Sequence, residues 1–118
     1  MNLDQLRNYC LSKPDTTESL PFGPDTLVYA VKGKLFALTS LTGERSRVNL
    51  KCNPDYAIEL RDRYEDIIPG WHMNKKHWNT VMINGSLPKK MVLELIDHSY
   101  EQVVKGMGKK GVIFIQER

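Results

Sequence analysis

The segment TLVYAVKGKLFALTSLTGERSRVNLK runs from Thr26 to Lys51. Its last five residues alternate: Val48 and Leu50 point one way, Arg47, Asn49 and Lys51 the other. Strict alternation over a short segment marks a strand in a sheet with one buried face and one wet face. The wet face here is cationic. Upstream, the runs TLVYAV and KLFALTSL flank Lys32–Gly33, a good two-residue hairpin connection, and TGERS supplies the next turn. Three consecutive antiparallel strands are therefore expected at the heart of the fold.

On the N-terminal side, Asn2 caps a first helix that carries Leu3, Leu6, Tyr9 and Cys10 at helical spacing and ends at Pro14. Pro21, Gly23 and Pro24 mark an irregular loop. On the C-terminal side, Asn53–Pro54 opens a second helix with Ala57, Leu60, Tyr64 and Ile67 as its inner stripe. Asp55, Glu59, Asp62 and Asp66 form an acidic stripe on the same predicted helix, with Glu59 and Arg63 as an i,i+4 pair. GWHM and WNTVMI read as short strands on either side of NKKH. NGSLPKK then leads, through Pro88, into a last helix. Val92, Leu95, Ile96, Ser99 and Val103 lie on one of its faces and Glu94, Asp97, His98, Glu101 and Lys105 on the other. VIFIQ is either a final strand or a docked tail. The order α-β-β-β-α-β-β-α predicts a two-layer α+β sandwich, an antiparallel sheet with helices on one face. Leu6, Val48, Leu50, Leu60, Val81, Ile83, Leu95 and Ile96 are its expected core.

The totals suit this fold. A chain of 118 residues makes one domain, expected over 1–118. Hydrophobic content of 41% with 26% charge is that of a water-soluble globular protein. No apolar run approaches the ~20 residues that span a bilayer, and MNLDQLRNYC lacks an apolar signal core, so a cytoplasmic protein without membrane contact is expected. Two cysteines, Cys10 and Cys52, make neither a disulfide framework nor a metal knot and are expected as small core residues.

The net charge of +3 is unevenly spread: residues 31–52 carry +4, residues 53–68 carry −3, and residues 69–91 carry +4. The segment Pro69–Met91 holds both tryptophans, two of the three histidines, four lysines and no acid. Three chemistries compete for it. A zinc site is disfavoured, because His72 and His77 would point about 140° apart on a helix and no cysteine or third histidine is near. Catalysis would need a partner to orient a histidine base, and no G-x-S-x-G elbow, P-loop or G-x-G-x-x-G motif is present. Anion binding fits better: Lys75 and Lys76 sit at a tight turn beside His72 and His77, and Lys89 and Lys90 begin a helix whose N-terminus is itself positive. Trp71 and Trp78 are either core residues or flat faces for stacking on bases.

The stretch His72-Met73-Asn74-Lys75-Lys76-His77-Trp78-Asn79-Thr80-Val81, together with Asn84-Gly85-Ser86-Leu87-Pro88 and the opening LRNYCLSKPDTTESLPFG, resembles the MmcQ/YjbR-like family of small bacterial proteins. The resemblance covers nearly the whole chain. It implies a two-layer α+β domain, related in architecture to secretion-chaperone-like and frataxin-like proteins, and DNA binding through a double-wing arrangement; it carries over no catalytic residues. The expected function is a non-enzymatic module without cofactor or metal. It would bind nucleic acid weakly and salt-sensitively through Arg45, Arg47, Lys51, His72, Lys75, Lys76, His77, Lys89 and Lys90. A protein- or peptide-binding or self-associating module is the first rival, and a frataxin-like metal binder on the acidic helix the second. Monomer and homodimer are both open.

Overall fold

The computed structural model describes residues 1–43 and 45–107. The chain forms α1 (Leu3–Leu11), β1 (Thr16–Ser19), β2 (Thr26–Val31), β3 (Lys34–Ser40), β4 (Arg47–Lys51), α2 (Pro54–Arg63), β5 (Ile67–Pro69), β6 (Trp78–Met82) and α3 (Lys89–Gly106). The six strands make one antiparallel sheet in the order β1-β2-β3-β4-β6-β5. This is the expected α+β sandwich with one strand more than the sequence pattern announced. Thr16–Ser19 reads TTES, has no apolar alternation, and becomes a strand because the edge of β2 offers it hydrogen bonds.

The local chemistry of each element is plain. Asn2 and Gln5 close a reciprocal capping box at the start of α1. Lys32 and Gly33 take positive φ of 50° and 81°, the geometry of a primed hairpin turn. Asn53 accepts hydrogen bonds from the backbone of Asp55 and Tyr56, and Pro54 fills the first turn of α2.

Two predicted elements are corrected. Helix α2 stops at Arg63, because Tyr64 is extended (φ −126°, ψ 120°). Ile67 therefore belongs to β5, and Asp66 leaves the acidic stripe. GWHM is a turn, since His72 has φ 58°, which no strand residue adopts; the strand that pairs with β6 is Ile67–Pro69, directly before it.

The helices share one face. There Leu6 and Cys10 of α1, Ala57 and Leu60 of α2 and the apolar stripe of α3 meet Tyr29, Val31, Phe36, Ala37, Val48, Leu50 and Val81 of the sheet. All eight predicted core residues are buried, and both cysteines are buried free thiols. Burial pushes the Cys10 thiol up to about 12. The tail VIFIQ lies outside the described residues.

One contact ties the layers together. The pairing of β2 and β3 shifts register at Tyr29/Ala30, so that Phe36 is an extra residue with no partner in β2. On its other side, Phe36 would face Lys51 of β4, the next pair after Ala37–Leu50. The buried Ser99 hydroxyl of α3 stands between them, donating to the Phe36 carbonyl at 2.5 Å and accepting from the Lys51 N–H at 2.8 Å. Replacing Ser99 by alanine orphans both groups, each costing about 1–3 kcal/mol when buried. Urea unfolding of Ser99→Ala should show a loss of at least that size; a loss within ±0.5 kcal/mol would show the bridge to be dispensable.

Candidate functional site

The face of the sheet opposite the helices is only partly covered. Across it run two rows set by strand register: Val28, Leu38, Asn49 and Thr80, and beside them Thr26 and Ser40, with Arg47 paired to Met82. Residues 70–77 fold back over the β4–β6 end of these rows. Gly70 makes the reversal possible: a Cβ there would lie 2.8 Å from the Trp78 Cβ, and its N–H donates to the Trp78 carbonyl. Trp71 is then pinned at both ends of its backbone. Its N–H donates to Thr80 Oγ1 at 2.8 Å and its carbonyl accepts from Asn49 Nδ2 at 3.0 Å; Thr80 in turn donates to Asn49 Oδ1 at 2.5 Å. Asn74 closes the turn by accepting from the N–H groups of Lys76 and His77. The left-handed His72 stands edge-on to the Trp71 indole, ring centroids 5.0 Å apart.

The result is a cleft of about 360 Å³ between this loop and the loop before β2. Leu38 and Asn49 lie in its floor, Phe22 on one rim, Trp71 and His72 on the other, and among the described residues no carboxylate lines it. Trp71 is 54% exposed and Phe22 64%, although both are large and aromatic. The Arg47 guanidinium stands 5.7 Å from the Trp71 ring centroid. Arg7, Arg45 and Arg63 pair with Glu18, Asp66 and Glu59, and Arg61 donates to Asn79 and to the Lys75 carbonyl. Among the described residues, Arg47 is the arginine whose side chain makes no hydrogen bond or ion pair to the protein; its carbonyl accepts from the Thr39 hydroxyl. A guanidinium whose donors have no partner among the described residues, beside an exposed indole, is suited to binding an anion.

The structure sorts the predicted site residues. Arg47 and His72 share the cleft. Lys76 is exposed on the turn beside it, whereas the ammonium of Lys75 folds back onto the Gly70 carbonyl at 3.0 Å. His77 serves the backbone: its carbonyl accepts from Cys52 N–H, and its N–H reaches Asn74. Lys51 lies at the other end of β4, about 13 Å along the strand from Arg47, in a separate hollow with Lys34 and Trp78. Lys89 and Lys90 start α3, and Lys89 lies against Met1, Gln5 and Tyr9 in the helical layer, behind the sheet from the cleft. Phe22 escaped the sequence reading because PFGP announces a turn and not the direction of its ring. Asn49 and Thr80 escaped it because a strand's wet face gives no sign of which polar groups bind a loop.

Arg45 has a different task. It donates to Asp66 Oδ1 at 3.1 Å, while the Ser86 backbone and hydroxyl donate to Asp66 Oδ2 at 2.8 and 3.0 Å. Gly85 lies so close that a Cβ there would sit 2.2 Å from Asp66 Oδ2 and 2.5 Å from the Arg45 guanidinium. The Ser86 hydrogen bonds, then the Arg45 guanidinium, hold the Asp66 carboxyl below the ordinary carboxylate range. The acidic ridge thus loses its fourth member to an ion pair, and among the described residues no group of three or more histidines, cysteines or carboxylates is placed to hold a metal ion.

The same segments that build the cleft and the Asp66 knot lie within residues 11–102, which match the family model YjbR. The chain belongs to the YjbR family. It is 36% identical over 104 residues to YjbR of Escherichia coli K12, covering 88% of each chain, and 38% identical over 58 residues to YyaQ of Bacillus subtilis, 49% of this chain and 48% of that one. The crystal structure of DR2400 from Deinococcus radiodurans superposes with a TM-score of 0.90 at 37% identity, over 98% of this chain and 88% of that one. A crystal structure from Pseudomonas syringae gives 0.74 at 33% identity, over 84% and 96%. The segment NGSLP has a direct physical reading here: glycine leaves room for Asp66 and serine binds it.

Because Asp66 is held below its unfolded value, the stability it contributes is present above the ordinary carboxylate range and is lost as pH falls through the lowered value. Asp66→Asn should therefore flatten the acid limb of a stability-against-pH curve, and Arg45→Ala should shift acid unfolding to higher pH, while Arg47→Ala leaves it in place. Equal acid shifts in Arg45→Ala and Arg47→Ala would contradict this division of labour.

Proposed function

We propose that this chain is a cytoplasmic, non-enzymatic nucleic-acid-binding module that takes the phosphate backbone along the open face of its sheet. The observation that carries the reading is Arg47, the arginine whose side chain makes no hydrogen bond or ion pair among the described residues, in a cleft with no carboxylate among its described lining residues. Lys76 on the neighbouring turn and Lys51 at the far end of β4 extend the positive strip. The double-wing DNA-binding arrangement implied by the family resemblance agrees with a loop-flanked sheet of this kind. With a net charge of only +3, attraction is local, and binding is weak and salt-dependent.

A second reading has its own support. Leu20 and Leu41 are exposed like Phe22 of the rim, and Leu41 is tied to Asp25, in the loop that holds Phe22, through its backbone N–H. An apolar rim suits a peptide, a protein or a second copy of the chain.

A titration with single-stranded and duplex DNA at two salt concentrations separates the two. Nucleic-acid binding should weaken with salt. Arg47→Ala and Lys76→Ala should each lower the log–log salt slope by about 0.7 on a single strand, and Lys75→Ala, whose ammonium already serves Gly70, by clearly less. If no DNA binds even at low salt while the chain associates in a concentration-dependent way in sedimentation, the apolar rim is the functional surface instead.

A further inference from the structure

Phosphate contact alone requires no cavity, yet the open face has one of about 360 Å³, within the range of about 300–1,000 Å³ of sites for small ligands. Its parts are of three kinds. The Trp71 indole is a flat apolar surface that stands in solvent, on a backbone that Thr80 and Asn49 hold from both sides. Arg47 provides a cation beside that ring. The floor combines the apolar Leu38 with small polar groups, among them the Thr26 hydroxyl, which has no protein partner among the described residues. His72 at the mouth is held at φ 58°, a conformation that non-glycine residues keep mostly where the surroundings impose it, as at ligand clamps.

An exposed aromatic on a fixed backbone is partly preorganised for stacking, since the backbone ordering entropy has been spent during folding. A flat face next to a free guanidinium suits a planar heterocycle that carries an anionic group. Resting on the proposed nucleic-acid reading, we infer that the cleft is a socket for one unpaired nucleobase, stacked on Trp71, with the attached phosphate on Arg47. The socket makes the module prefer single strands, because bases inside a duplex give their faces to one another and reach a pocket only by being unstacked.

The test compares a short single strand, the same strand made of abasic residues, the matching duplex and a free mononucleotide. The readouts are affinity and, in a Trp78→Phe background, Trp71 fluorescence. The base-bearing strand should quench Trp71 and bind roughly 5- to 150-fold more tightly than the abasic strand, the range of a single base–aromatic stack, with the same salt slope. Trp71→Ala should erase that ratio while leaving abasic binding intact; this comparison needs no fluorescence and stands even if Trp78→Phe fails to fold. Equal affinity for the two strands without quenching overturns the socket and leaves the phosphate reading standing. Quenching by the mononucleotide without binding of any polymer upholds the socket and overturns the polymer reading. Silence from all probes at low salt overturns both.

Discussion

Everything in this fold depends on how α3 lies against the sheet, and a single hydroxyl governs that. Ser99 joins the two layers: it bridges β3 and β4 at Phe36, the residue that bulges out of the pairing with β2. A larger side chain would push the helix away, and an apolar one would strand two backbone groups. With α3 fixed there, the Phe36 and Tyr100 rings meet edge to face at 5.3 Å. Val48 and Leu50 face the helices, and by alternation Arg47 and Asn49 face the other way. The functional side of the molecule is thus set from behind.

The helical layer carries a second joint of the same type. The backbone N–H of Asn53, the cap of α2, donates to His98 Nε2 of α3 at 3.1 Å. That bond requires a neutral imidazole with its proton on Nδ1, and burial lowers the His98 pKa accordingly. The orientation of α2 against α3 therefore contains a titratable element. The neutral form contributes stability above the ordinary histidine range, and that contribution fades as pH falls through the lowered value.

Much of the fold was legible because burial imposes periodicity. RVNLK alternates since one side of β4 is core, and the stripe Val92, Leu95, Ile96, Ser99 and Val103 repeats since one side of α3 is core. Legibility failed where hydrogen bonding, not burial, decides. TTES pairs with β2 without any apolar pattern, and Ile67 continues the helical spacing of α2 although the chain has already turned at Tyr64. The site was harder still. Arg45 and Arg47 are two residues apart and chemically identical, and only the third dimension shows that Asp66 occupies one and nothing described occupies the other. Charge blocks locate positive residues, but they cannot tell which charges are already spent.

Among the described residues the sheet ends in two edge strands, β1 and β5. An open edge is a template on which another chain can add a strand. Strand β5 spans only Ile67–Pro69, and its last residue has no N–H to give. β1 is four residues long and polar throughout. Both borders are thus poor seeds for edge-to-edge growth. A protein that leaves aromatic rings in water on its open face needs such borders, because sheets that stack and extend at once become fibres.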